Sequence, residues 1–137
     1  MAKISENDKG KKSNKSVDIV VVEDDLFLSE MLVTKFTSKG YKIVPAYNGK
    51  EGLELVEKSP PRVILLDIVM PVLNGYQFLE EVKKKEECSD IPILVLSNLG
   101  QPEEIAKAME LGALHFLVKA NFTPEDIYKK VVAVIEQ

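Results

Sequence analysis

The stretch VILLDIVMP, residues 63–71, places a carboxylate at the end of an apolar run. Four apolar residues lead directly into Asp67, and Ile68, Val69, Met70 and Pro71 follow it. A charged carboxylate in apolar surroundings is costly unless it has a partner. Asp67 therefore needs either a partner or a function at the end of this predicted strand.

The bulk composition indicates one soluble globular domain. Of the 137 residues, 45% are hydrophobic and 29% are charged. The formal net charge of -4 gives no indication of nucleic-acid binding by the folded part. A single cysteine, Cys88, excludes an internal disulfide and suits a reducing cytosol. We expect a surface or half-buried thiol there, with a reactive thiol as the alternative.

The polar, Lys-rich start of the chain predicts a flexible tail over residues 1–16, with the folded domain over residues 17–137. The tail is either a solvated extension or a docking segment for an acidic partner or an anionic membrane. We find neither an apolar run that would span a bilayer nor an apolar signal region at the start, so we expect a cytoplasmic protein without membrane contact.

Two sequence patterns alternate after residue 16. Apolar, β-branched runs predict five strands, over residues 17–22, 41–46, 62–66, 91–96 and 113–118. The stretches between and after them have helical spacing; Leu26, Leu32 and Phe36 would share the core face of the first helix, and Ala108 and Met109 that of the fourth.

The predicted helix ends agree with this pattern. Asp25, Asn48 and the pair Thr123–Pro124 are suited to begin the first, second and fifth helices. Gly40 and Gly112 follow the first and fourth helices, where a left-handed residue is favoured.

Strands that alternate with helices favour parallel crossover connections. Near-continuous apolar strands indicate a sheet covered on both faces. The predicted fold is therefore a doubly wound α/β domain, with five parallel strands in the flavodoxin-like order 2-1-3-4-5 and five helices.

Polar residues stand where these strands end, at the edge that binds ligands in such sheets. They are Glu23 and Asp24 after the first strand, Asp67 after the third, Ser97 at the end of the fourth and Lys119 after the fifth. Each also has an ordinary explanation, as a cap, a turn residue or a solvated charge.

Carboxylates brought together at this edge would raise one another's pKa, and Mg²⁺ would relieve their repulsion. A partly exposed, metal-bound Asp67 suits nucleophilic attack on a phosphoryl group. Lys119 can hold a phosphoryl oxygen and Ser97 can donate its hydroxyl to another.

These motifs resemble the receiver domains of bacterial two-component response regulators. The resemblance rests on VVVEDD at the first strand, LLDIVMPVLNG around Asp67, VLSN at the fourth strand and FLVKA at the fifth. It covers nearly all of residues 17–137, with matching spacings.

The resemblance implies a role for each matching residue. Asp67 would be the phosphoacceptor, Asp24 a direct ligand of Mg²⁺ (or Mn²⁺) and Glu23 a ligand through water, while the Val69 carbonyl would complete the protein's share of the metal shell. Two further residues, Ser97 and Phe116, would form the switch, and Lys119 would contact the phosphoryl group. Phe116 could instead be a plain core residue.

Two positions depart from the family's pattern. Ala120 replaces the usual proline after the lysine, and a cis bond to a non-proline costs roughly 2.5–4 kcal/mol. A trans bond avoids this cost and would change the aim of Lys119, and the sequence leaves the choice between the two isomers open. Asn98 stands where a small residue is usual, so access to the phosphoryl group would be narrower.

The implied function is a signalling switch rather than an enzyme that acts on outside substrates. A sensor histidine kinase or a histidine phosphotransfer protein would phosphorylate Asp67, and a downstream protein would recognise the face of helix four, strand five and helix five. The domain would be a stand-alone regulator or a receiver cut from a longer chain, and either a monomer or a phosphorylation-dependent dimer. Tyr128 and Lys129 on helix five form another candidate contact surface.

Three alternatives remain at this point. A phosphohydrolase of the haloacid-dehalogenase type would carry a second Asp two positions after Asp67, where this chain has Val69. A degenerate receiver would bind partners without phosphorylation. A nucleotide-binding protein would need a Gly-rich loop after the first strand, which the sequence lacks.

Overall fold

The computed structural model describes residues 16–137 of the chain, which form alternating strands and helices. Residues 1–15, almost all of the predicted tail, lie outside the described part, so the domain boundary stays a prediction. The strands are β1 (Ile19–Val22), β2 (Ile43–Ala46), β3 (Val63–Leu66), β4 (Ile93–Ser97) and β5 (His115–Val118). The helices are α1 (Leu26–Ser38), α2 (Gly49–Lys58), α3 (Gly75–Lys84), α4 (Pro102–Glu110) and α5 (Pro124–Ile135).

All neighbouring strands pair in parallel, in the order β2-β1-β3-β4-β5. This confirms the predicted fold class. Each strand begins one or two residues later than its apolar run, because the run also includes residues that enter the sheet.

The three central strands of the sheet are buried on both faces, as the apolar runs predicted, whereas the edge strands β2 and β5 are only partly buried. Alternate residues of β1 point to opposite sides: Val20 and Val22 join the core under α2, α3 and α4, whereas Ile19 and Val21 join the core under α1 and α5. Two apolar layers therefore hold the sheet between the helices and leave the ends of its strands open for a site.

The predicted helix ends are confirmed. The side chains of Asp25, Asn48 and Thr123 each accept a hydrogen bond from a backbone N–H of the first turn of α1, α2 and α5. Gly40 and Gly112 have positive φ, 92° and 109°.

Three burial expectations were wrong. Leu26 is 64% exposed because it is the first residue of α1, at the open end of the sheet. Met109 is 42% exposed, since Ala108 is the residue that α4 turns into the core. Cys88 is fully buried in the core under α2 and α3, with Sγ 3.9 Å from the carbonyl oxygen of Val56.

Within the described residues, no helix is both long enough and apolar enough to cross a bilayer.

One buried hydroxyl stands out in this otherwise apolar packing. Ser29 of α1 is 1% exposed, and among residues 16–137 its Oγ has no hydrogen-bond partner. Leaving a buried hydroxyl unpaired costs about 1–3 kcal/mol.

We therefore expect Ser29→Ala to leave the free energy of unfolding unchanged or to raise it by about 1 kcal/mol, since alanine also favours the helix. Urea denaturation of the two proteins measures the difference. Leu32→Ala, a neighbour on the same buried face, serves as the control and should cost about 2–5 kcal/mol. A clear loss of stability in Ser29→Ala would show that the hydroxyl has a partner.

Candidate functional site

The register of the sheet sets Glu23 beside Asp67. Val22 pairs with Leu66, and each of the two acids is the next residue on its strand. The N–H of Asp67 donates to the Val22 carbonyl at 2.9 Å. Both side chains are buried, Glu23 at 1% and Asp67 at 5% exposure.

The expectation that Asp67 is partly exposed was therefore wrong. The segment after β3 turns back over the carboxyl edge, with Ile68 and Met70 buried in the core. Gly75 closes this turn by donating its N–H to the Ile68 carbonyl at 2.8 Å. A Cβ at Gly75 would lie 2.5 Å from the Asp67 carbonyl oxygen, so only glycine permits this approach.

Lys119 joins the two buried carboxylates. Its Nζ lies 2.9 Å from Oε1 of Glu23 and donates to Oδ2 of Asp67 at 3.1 Å. The described residues contain no cis peptide bond, so the bond to Ala120 is trans. A short 3₁₀ turn, Lys119–Asn121, follows β5 without the usual proline. The Lys119 side chain nevertheless points at Asp67, although Ala120 replaces the proline that usually follows this lysine.

Asp24 completes an acidic cluster with Glu23 and Asp67. One carboxylate oxygen from each lies within 4.8 Å of the others, and Asp24 is exposed. Carboxylate oxygens open to water are suitable ligands for Mg²⁺, which keeps several waters when bound. The cluster is typical of the Mg²⁺ site of receiver domains. The Val69 amide donates weakly to Oδ1 of Asp67, at 3.4 Å, while its carbonyl as a metal ligand stays a prediction.

Negative charge is in excess in the acidic cluster. Burial, and then the charge of Asp67, raise the pKa of Glu23 to about 7, although the Asp25 amide and Lys119 oppose the shift. Burial lowers the pKa of Lys119, but its hydrogen bond to Glu23 and the charges of both carboxylates outweigh this and give a net increase. The site therefore holds more negative charge than its lysine neutralises.

Ser97 ends β4 at this edge, but its hydroxyl forms its hydrogen bond outside the acidic cluster. It is fully buried, and its Oγ accepts a hydrogen bond from the Leu99 amide at 3.3 Å. Phe116 pairs with Val95 across the β4–β5 ladder and packs, half-buried, against the core under α2, α3 and α4. The structure thus joins Glu23, Asp67 and Lys119 directly, and places the two predicted switch residues on the neighbouring strands.

The turn after Asp67 contains a backbone feature that sequence reasoning missed. Val72 has φ of 73°, and the Leu73 amide donates to the Pro71 carbonyl at 2.8 Å, which makes a γ-turn. A β-branched residue with positive φ is a genuine outlier. Val72 is 73% exposed, so packing of its own side chain does little to offset the strain.

Comparison with known protein families identifies the family of this chain. Residues 19–132 match the family described as "Response regulator receiver domain". The chain belongs to that family. Its members are signalling modules of two-component systems rather than ordinary enzymes, and they partner histidine kinases.

Relatives and solved structures agree with this assignment. The receiver domain is 33% identical over 124 residues to "Probable transcriptional regulator ycf27" of Porphyra purpurea, an alignment that covers 90% of this chain and 49% of that protein. It spans about half the length of the curated relatives it matches. The structure of chemotaxis protein CheY4 of Vibrio cholerae is 30% identical, with a TM-score of 0.80 over 86% of this chain and 98% of that one. The Francisella response regulator 1452 receiver domain is 26% identical, with a TM-score of 0.79 over 88% of this chain and 98% of that one.

The raised pKa of Glu23 predicts a pH-dependent loss of stability in metal-free buffer. A carboxyl whose pKa rises from 4.5 to about 7 on folding contributes a penalty that is absent below pH 4.5 and complete above pH 7. Glu23→Gln removes this titration, so its stability relative to the unmodified protein should increase across that interval, by up to about 3 kcal/mol. Urea denaturation with a chelator at several pH values measures the difference.

Glu54→Gln makes the same chemical change at an exposed position of α2 and controls for the loss of a carboxylate as such. A difference between Glu23→Gln and the unmodified protein that stays constant with pH would show that the carboxyl of Glu23 is not perturbed.

Strain at Val72 predicts that glycine stabilises the turn. We expect Val72→Gly to raise the free energy of unfolding by about 1 kcal/mol, because relief of about 1–3 kcal/mol of backbone strain exceeds the cost of about 0.5–1 kcal/mol for glycine's extra freedom. Thermal or urea unfolding without Mg²⁺ measures it. Val69→Gly is the matched control: Val69 is also exposed but is not among the residues with positive φ, and glycine should not stabilise it.

Proposed function

We propose that this receiver domain is a phosphorylation switch whose phosphoacceptor is Asp67. The observation that carries the proposal is the position of Lys119, whose ammonium contacts Asp67 and Glu23 at the edge where three acids converge. Phosphoryl transfer needs positioning and neutralised charge more than it needs other covalent chemistry.

The donor is a phosphohistidine of a sensor histidine kinase or of a histidine phosphotransfer protein. An oxygen of the Asp67 carboxylate forms a bond to phosphorus as the phosphorus–nitrogen bond breaks, and the electron pair stays on the imidazole, which takes up a proton. The product is an aspartyl phosphate. Lys119 offers an ammonium to the transferred oxygens, and it already lies within 3.1 Å of the acceptor carboxylate.

The acidic cluster is suited to Mg²⁺, with Mn²⁺ as an alternative. Asp24 is the proposed direct ligand, with Asp67 and the Val69 carbonyl, and Glu23 is the proposed ligand through water. A bound divalent cation supplies positive charge that neutralises the acids and the phosphoryl oxygens. The excess negative charge around Glu23 favours such a cation.

Two residues of the neighbouring strands transmit the signal in this proposal. Phosphorylation adds about -1.5 to -2 charge near neutral pH. Ser97 would exchange its bond with the Leu99 amide for one to the phosphoryl group, and Phe116 would move further into the core. The loop between β4 and α4 would move with Ser97.

The proposed output is a protein contact on the face of α4, β5 and α5. Met109 and Leu114 expose apolar surface there, 42% and 41% exposed. The contact is either with a downstream protein or with a second copy of the phosphorylated domain, in the cytoplasm, and involves neither nucleic acid nor membrane. Tyr128 is a weaker candidate for this role, since it packs against Phe36 of α1 at 5.2 Å between ring centroids.

Incubation with Mg²⁺ and acetyl phosphate tests the acceptor. Intact mass should increase by one phosphoryl group, and the increase should be absent in Asp67→Ala and in the presence of a chelator. Asp25→Ala is the control, because Asp25 caps α1 through the Leu28 amide, and this variant should still be phosphorylated. Equal phosphorylation of the Asp67→Ala protein would reject the proposal. Turnover of p-nitrophenyl phosphate would instead support the phosphohydrolase alternative.

A further inference from the structure

The helix that follows Ser97 is the least anchored of the helices in residues 16–137. Of the nine residues of α4, only Ala108 is buried, whereas each of the other four helices buries three or four residues. Few buried apolar contacts mark an element that opens easily. The contacts that α4 does make with its neighbours therefore have a large influence on its position.

Tyr76, the second residue of α3, supplies two of those contacts. Its hydroxyl donates to the Glu104 carbonyl at 3.3 Å, and the Lys107 ammonium lies 4.3 Å from the centroid of its ring. Glu104, Lys107 and Ala108 follow the helical spacing of one face. Tyr76 thus holds the same side of α4 that carries its buried residue.

The hydroxyl of Tyr76 remains a donor at neutral pH. Burial, and then the negative charge of Glu104, raise its pKa above the ordinary value of 10. A protonated phenol can donate to a carbonyl, and a lysine over the ring face adds a cation–π attraction. Each of these two interactions is modest, and both would be lost together if α4 moved away from α3.

The loop before α4 connects this contact to the candidate site. Ser97 ends β4, its Oγ accepts from the Leu99 amide, and α4 begins at Pro102. In the proposed function the Ser97 hydroxyl turns toward a phosphoryl group, and Leu99 would then lose that acceptor. The first turn of α4 lies only a few residues further, so a movement of this loop would act on the contact between Glu104 and Tyr76.

We propose that Tyr76 is a positioning residue that clamps α4 onto α3 in the unphosphorylated arrangement and so sets how readily the domain switches. The switching part rests on the proposed function. A ligand shifts a two-state equilibrium only by its different affinity for the two states, so a contact present in one state alone reduces the apparent affinity for a ligand of the other. Loosening the clamp should therefore favour the phosphorylated arrangement.

Three variants separate the contributions. Tyr76→Phe keeps the ring under Lys107 and removes the hydroxyl, Lys107→Met removes the cation, and Tyr76→Leu removes both interactions while keeping an apolar helix-forming side chain. Tyr128→Phe and Lys58→Met are the matched controls. They make the same chemical changes on α5 and at the end of α2.

The first measurement is amide hydrogen exchange in the free protein, with α5 as the internal reference. Tyr76→Leu should speed exchange in α4 relative to α5 by about tenfold, and Tyr76→Phe and Lys107→Met by smaller factors. The controls should match the unmodified protein. Unchanged α4 exchange, or an equal increase in every helix, would overturn the clamp, since the second result is what a purely structural residue would give.

The second measurement is the beryllofluoride concentration that half-saturates the domain at fixed Mg²⁺, followed by NMR. Tyr76→Leu should lower it by about the factor seen in α4 exchange. If Tyr76→Leu exchanges faster in α4 but half-saturates at the same beryllofluoride concentration as the unmodified protein, the switching role is overturned. Tyr76 would then hold α4 without regulating the domain. Failure of the unmodified protein to bind beryllofluoride would overturn the proposed function and the switching role with it, while the exchange result would still decide whether the clamp exists.

Discussion

One ammonium group joins two buried carboxylates at the carboxyl edge of the sheet. Because β1 and β3 are neighbours, Glu23 and Asp67 must lie side by side, and neither can move away without breaking the ladder. Lys119 directly follows β5, which is separated from β3 by a whole strand, and its long side chain reaches both acids. Besides burial, the charge of Asp67 raises the pKa of Glu23 and Lys119 lowers it, so these positions are coupled to one another. The edge is therefore an electrostatic unit built from distant parts of the chain.

Some features of this edge lower the stability of the folded protein but suit the proposed site. A raised pKa for Glu23 means that the folded protein holds an ionised carboxylate there at a cost. Replacing that charge would favour folding and would weaken a cation site made of the same oxygens. The strain at Val72 is similar, because the turn that carries it also covers Asp67. Both costs occur at the carboxyl edge of the sheet, where the proposed chemistry takes place, and the two apolar layers under the helices offset them.

Local sequence signals were sufficient for the fold and for much of the site. Apolar runs and capping residues depend on a few neighbours in the chain, so Asp25, Asn48 and Thr123 could be recognised as helix starts. The convergence of Glu23, Asp67 and Lys119 followed from strand order alone, since parallel strands end at a common edge.

Other features depend on how distant segments close over one another, and these the sequence did not reveal. The burial of Asp67 depends on the return of the chain from Ile68 to Gly75, and the burial of Cys88 depends on α2 and α3 packing together. The bond between Ser97 and the Leu99 amide is one of several that a serine at a strand end could make. Nothing in a valine's neighbours marks the positive φ at Val72, because glycine or asparagine would be the expected signal there.

The unequal anchoring of the helices sets the direction of the response that we propose. α3 follows the Asp67 turn and buries four residues, whereas α4 follows Ser97 and buries only Ala108 of its nine residues. In the proposed switch, a change at the edge that both segments share would act on α3, which is well anchored, and on α4, which is not. We expect α4 to move first, because its contacts cost less to break. Since α4 carries the exposed Met109 and is followed by the exposed Leu114, this movement would reach the surface at the proposed partner face.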